Sequence, residues 1–96
     1  MHYFRVFNKK GENELTRIFR SVGTEMLAII RKEKKISDVM LMMKLEFNPE
    51  TWRHWRTKFI ELFQEASYTK IDADDENDKE RIVYDKKQKL WSIQDV

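Results

Sequence analysis

Two helix starts stand eleven residues apart in the stretch from Ile36 to Phe63, ISDVMLMMKLEFNPETWRHWRTKFIELF, which leaves room between them for one short helix and one short turn. Ser37 is placed to cap the first of these helices, with Ile36 before the cap and Leu41 at the position that would staple to it. Asn48 repeats the device for the second. Pro49 then takes the first helical position, where its missing N–H costs nothing, and Phe47 and Trp52 have the spacing of a second staple. The remaining segments read as support for these two helices.

The 96 residues make a single domain, 1–96, near the size at which one core folds unaided with little margin, and a homodimer would relieve that margin. Hydrophobic residues at 41% exclude a fully disordered chain, while 38% charged residues demand a heavily solvated exterior. No cysteine is present, so thiolate chemistry and disulfides are excluded. The longest apolar runs, Met26 to Ile30 and Val39 to Met43, are five residues each, far short of a membrane span or a signal-peptide core, and a cytoplasmic location is expected.

A net charge of +2 conceals a strong partition. Residues 1–71 hold fourteen Lys/Arg against nine Asp/Glu, whereas residues 72–80 hold one against six. With that acidic segment set aside the body of the domain is basic enough to attract a polyanion.

In chain order, His2 to Phe7 is β-branched or aromatic at most positions and precedes the turn-like Asn8-Lys9-Lys10-Gly11, which predicts a short N-terminal strand, with a loose arm as the alternative. From Glu14 the spacing becomes helical. Leu15, Ile18, Phe19, Val22, Met26, Ile29 and Ile30 form one stripe, Asn13 is placed as N-cap, and the helix should end near Glu33 to Lys35. Gly23 inside it implies either a junction of two helices or the close approach of another backbone. Arg31, Lys32, Lys34 and Lys35 gather at its far end, where they complement the helix dipole or meet a phosphate backbone. The second helix, about Asp38 to Met43, is apolar almost all round and should be buried between the first and third helices, although its three methionines, Met40, Met42 and Met43, also suit an adaptable protein-binding surface.

The turn is Lys44-Leu45-Glu46-Phe47. Leu45, Phe47 and Asn48, followed by the small-then-bulky pair Thr51-Trp52, match a pattern in which a Leu, a Gly, a second apolar residue and a Ser/Asn cap lead into a helix. This stretch resembles the helix-turn-helix of bacterial and phage DNA-binding proteins, over about 28 of the 96 residues. Glu46 departs from the family pattern, which has Gly there because the turn adopts a left-handed conformation.

Laid out at 100° per residue, the third helix, Pro49 to about Glu65, places Trp52, Trp55, Phe59, Ile60, Leu62, Phe63 and Ala66 on one side. Arg53, His54 and Thr57 fall on the other, flanked by Arg56 and Lys58, and Glu61 and Glu65 follow only later. Positive charge thus occupies the N-terminal half, as a recognition helix needs, because its first turns enter the major groove. Strand-like segments come next at Ser67 to Asp72, Arg81 to Asp85 and Lys89 to Ile93. Lys86-Lys87-Gln88 joins the last two in a hairpin. Without Gly in that turn, three or more loop residues are expected, and the inward pairs would be Val83 with Trp91 or Ile93, or else Tyr84 with Leu90.

Other constellations fail on spacing. Asp72, Asp74, Glu76, Asp78 and Glu80 align with EF-hand ligand positions, but Asn77 stands where the turn needs Gly and Val83 where the bidentate Glu belongs. With His only at 2 and 54, no Cys, and Gly only at 11 and 23, neither a zinc site nor a phosphate-cradling loop is expected. No metal, cofactor or catalytic group is anticipated.

The expectation is therefore an α+β fold, a winged helix-turn-helix with a three-helix core, the helix-turn-helix over 36–65 and a β-hairpin wing over 67–94. The resemblance implies sequence-specific binding of double-stranded DNA by a homodimer, as a transcriptional regulator or as a replication, partition or excision accessory protein of a plasmid or phage. Arg53, His54, Arg56, Thr57 and Lys58 are the candidate helix contacts, with Arg53 as the base reader, and Lys44, Lys86, Lys87 and Lys89 are candidate phosphate contacts. The alternative is a protein-interaction module of phage type that inhibits a host protein through the Met-rich helix or the acidic loop. RNA ranks last, because surface aromatics do not alternate with the basic residues.

Overall fold

The fold follows the order α1 (Glu14–Glu33), β1 (Lys35–Ser37), α2 (Asp38–Lys44), α3 (Pro49–Gln64), β2 (Tyr68–Thr69), β3 (Lys79–Asp85) and β4 (Leu90–Asp95), as seen in a computed structural model that describes residues 14–96. The expected strand at 2–7 and the Asn13 cap lie outside the described residues. The described residues form an α+β arrangement of three helices and a four-stranded antiparallel sheet in the order β1-β4-β3-β2. It is compatible with a winged-helix layout. No helix among the described residues is long and apolar enough to cross a membrane.

α1 runs without a break through Gly23. A Cβ there would touch the Phe19 ring at 3.5 Å and the Phe63 ring at 3.8 Å, so what approaches is side chain and not backbone. Phe19 and Phe63 meet edge to face at 5.0 Å between centroids, which seats α1 on α3. Met26 and Ile30 of the α1 stripe join Ile36, Leu41, Trp52, Phe59, Phe63, Ile82 and Trp91 in the buried core.

Both caps form as their sequences require. The Ser37 hydroxyl accepts from the Met40 N–H at 3.2 Å and the Asn48 carboxamide from the Thr51 N–H at 2.9 Å. Phe47 and Trp52 pack at 5.5 Å as the second staple. Between the helices, the Glu46 N–H donates to the Met43 carbonyl at 3.1 Å and the Phe47 N–H to the Met42 carbonyl at 3.2 Å. These bonds make a Schellman ending for α2, which requires a left-handed residue after the cap. Glu46 takes that role at φ 62°, at a cost of about 1 kcal/mol relative to glycine. Lys34, at φ 70°, turns the chain from α1 into β1 in a similar way.

Three expectations are corrected. α2 is not enclosed: Leu41 and Asp38 are buried, but Val39, Met40 and Met43 are 58%, 47% and 59% exposed. Seven residues make only two turns, so a single face reaches the core and the others point away from it. The strand expected over Ser67 to Asp72 is confined to Tyr68–Thr69, which pair with Glu80 and Lys79; beyond them the Lys70 N–H donates to the Asp78 carbonyl at 3.0 Å and the chain turns away. In the hairpin, Tyr84 stands opposite Trp91 and Ile82 opposite Ile93, while Val83 faces Ser92 on the other side of the sheet. That register follows from a four-residue turn, Lys86 to Lys89, in which the Asp85 carboxylate accepts the Lys87 N–H at 2.9 Å and Lys89 is left-handed at φ 51°.

Candidate nucleic-acid interface

The cap at Asn48 and the buried Trp52, Phe59 and Phe63 fix the rotation of α3, so the opposite side of the helix must face solvent. Arg53, His54 and Thr57 are exposed there, and the His54 ring rests edge-on against Trp55 at 5.1 Å. Trp55 is half-buried and stacks on Phe59 at 6.2 Å, so it belongs to the packed side. Lys58 is half-buried, and Lys44, at the end of α2, is exposed. At the hairpin tip Lys86, Lys87 and Lys89 are all exposed.

The ion pairs among the described residues join Arg31 to Glu80, Arg56 to Asp38, and Lys70 to both Asp78 and Asp95. Arg53, Lys58, Lys86, Lys87 and Lys89 belong to none of them. The acidic segment is therefore turned to other work. Its Asp78, with Asp95, holds Lys70, and the following Glu80 holds Arg31, whose guanidinium also donates to the Thr69 carbonyl at 2.8 Å. Arg31 thus acts in the fold, tying the end of α1 to the sheet. The cleft beside it, lined by Arg31, Lys34, Lys70, Asp78 and Glu80, has its arginine and one of its lysines already neutralised.

Arg56 is placed differently from Arg53. Its Nη1 donates to Asp38 Oδ2 at 2.5 Å, so this cation is paired within the protein. Asp38 is only 5% exposed, and its other oxygen, Oδ1, accepts the indole N–H of Trp52 and that of Trp91, each at 2.9 Å. Its backbone N–H, which as the first of α2 has no partner within the helix, donates to the Lys89 carbonyl at 2.9 Å. One residue thereby contacts α3 twice and the hairpin twice. A buried carboxylate is tolerable because all of these donors meet it and one carries positive charge.

Two phenols are shifted by burial. Burial pushes the Tyr84 phenol above its usual value, the Asp38 charge adds to the rise and Arg56 opposes it. Burial likewise raises Tyr68, there opposed by Arg31.

Sequence reasoning missed the role of Asp38, since an acid in the first turn of a helix already has a local explanation in the helix dipole. One signal was present: a tryptophan in the core needs an acceptor for its N–H, and Trp52 and Trp91 together call for a buried one. Comparisons with protein-family models, with curated proteins and with solved structures find no match for this chain, so the reading of this surface rests on its own geometry.

Proposed function

We propose that this protein is a winged helix-turn-helix that binds double-stranded DNA as a homodimer, with α3 in the major groove and the β3–β4 hairpin as a wing on the phosphate backbone. The observation that carries the reading is the convergence at Asp38, which brings the turn end of the lysine-tipped hairpin against the half of α3 that bears exposed, unpaired Arg53 and exposed His54 and Thr57. Arg53 is the base reader, since a guanidinium can address a guanine edge with two hydrogen bonds. Lys86, Lys87 and Lys89, with Lys44 and Lys58, supply phosphate contacts that add affinity without sequence information. Arg56 is left out of that set.

Selection of bound sequences from a random duplex pool, followed by a footprint, tests the proposal. A palindromic motif with half-sites about one helical turn apart is expected from a two-fold dimer. Failure to enrich any sequence, with no duplex binding at low salt, overturns it.

A second reading has an observation in its favour. Val39, Met40 and Met43 form an exposed apolar face on α2, which suits a protein partner better than a phosphate backbone. A phage-type inhibitor of a host protein would use that face and ignore DNA at any salt.

A further inference from the structure

We infer that Asp38 is a positioning residue that locks the wing to the recognition helix, so that both meet a duplex as one rigid body; this rests on the DNA-binding reading above. Backbone pairing of β4 with β1 and β3 fixes the hairpin within the sheet, but says nothing of where the sheet stands relative to the cationic half of α3. The Asp38 carboxylate supplies that link. Trp52 and Arg56 reach it from successive turns of α3, and Trp91 reaches it from the start of β4, next to the hairpin turn. Trp52 and Trp91 also pack on each other at 6.3 Å between centroids, so the shared acceptor fixes two rings already in contact.

The backbone adds a second tie at the turn of the wing. Lys89 ends the hairpin turn in a left-handed conformation, and its carbonyl is held by the Asp38 N–H. Motion of the wing relative to α3 must therefore break bonds to a single buried residue. The functional consequence is coupling: with the wing held in place, each wing lysine meets its phosphate at high effective concentration once Arg53 is docked. Released from Asp38, the wing would contribute far less.

The decisive experiment measures how much Lys86→Ala with Lys87→Ala weakens binding to a short random-sequence DNA duplex, in the unsubstituted background and in Trp91→Phe, which deletes the wing-side donor and keeps a ring. The lysine substitutions should cost at least five-fold less affinity in the Trp91→Phe background. An equal cost in both backgrounds means Trp91 serves stability alone, and overturns the inference. Because Trp91→Phe leaves part of a core position empty, hydrogen exchange of the indole N–H groups in the unsubstituted protein provides an independent decision. Trp52 and Trp91 should exchange slowly and at one rate. Exchange at Trp91 ten-fold faster than at Trp52 shows a wing that opens alone, and overturns the link whatever DNA does; absence of duplex binding at low salt with equal exchange rates instead overturns the DNA-binding reading and leaves the link intact.

Discussion

The single acid Asp38 and the six acids of the 72–80 segment are opposite uses of the same chemistry. Asp38 is almost wholly enclosed and accepts three side-chain hydrogen bonds from two elements. In the acidic segment the carboxylates from Asp72 to Asp78 are exposed, and the ion pairs of Lys70 with Asp78, at 3.3 Å, and with Asp95, at 2.8 Å, lie at the surface. Pairs of that kind contribute little, because water and salt screen them and two long side chains must be held still. Charge counted along the sequence thus shows where charge is concentrated and not where it organises the fold.

The contrast can be broken most directly at the buried acid. Asp38→Ala should cost about 3–5 kcal/mol in chemical denaturation, because it strands the Arg56 guanidinium and two indole N–H groups. A loss below about 1 kcal/mol would mean that water replaces the carboxylate freely and that the site is not a hub. Glu80→Gln should fall between the extremes, at about 1–2 kcal/mol, since the Arg31–Glu80 pair is partly buried and joins α1 to β3.

Alkaline titration sharpens the comparison further. A phenol whose folded pKa lies above its unfolded value of 10.0 contributes stability that is present below that pH and is lost as pH rises through the folded value. Stability should therefore fall above pH 10.0, and Tyr84→Phe should flatten part of that loss. Followed by tyrosinate absorbance, Asp38→Asn should lower the Tyr84 pKa and leave that of Tyr68 unmoved, since Asp38 acts on the first phenol and Arg31 on the second. Equal movement of both would place the Asp38 charge elsewhere. The smallest effect is expected at the acidic surface, where Asp78→Asn with Asp95→Asn should leave the unfolding midpoint unchanged.

What could be read in the sequence was local. Ser37 and Asn48 announced their caps, the resemblance placed a left-handed residue at Glu46, and 100° spacing divided α3 into a tryptophan side and a cationic side. Each of these depends on residues within about one or two helical turns. What could not be read depends on distant partners. Trp91 meets Asp38 across 53 positions and Arg31 meets Glu80 across 49, distances over which periodicity carries no information. The misjudged side of α2 has the same origin. Five apolar residues in succession give a short helix no preferred face, whereas the fold takes Leu41 inside and leaves Val39, Met40 and Met43 exposed.

The central claim, that α3 and the lysine-tipped hairpin form one surface for duplex DNA, is tested most directly by affinity for a duplex as a function of salt, for the unsubstituted protein and for Lys87→Ala. The unsubstituted protein should bind, with the logarithm of affinity falling linearly against the logarithm of salt, and Lys87→Ala should reduce that slope by about one. Duplex affinity that is absent at the lowest salt, or a slope indifferent to Lys87, would contradict it.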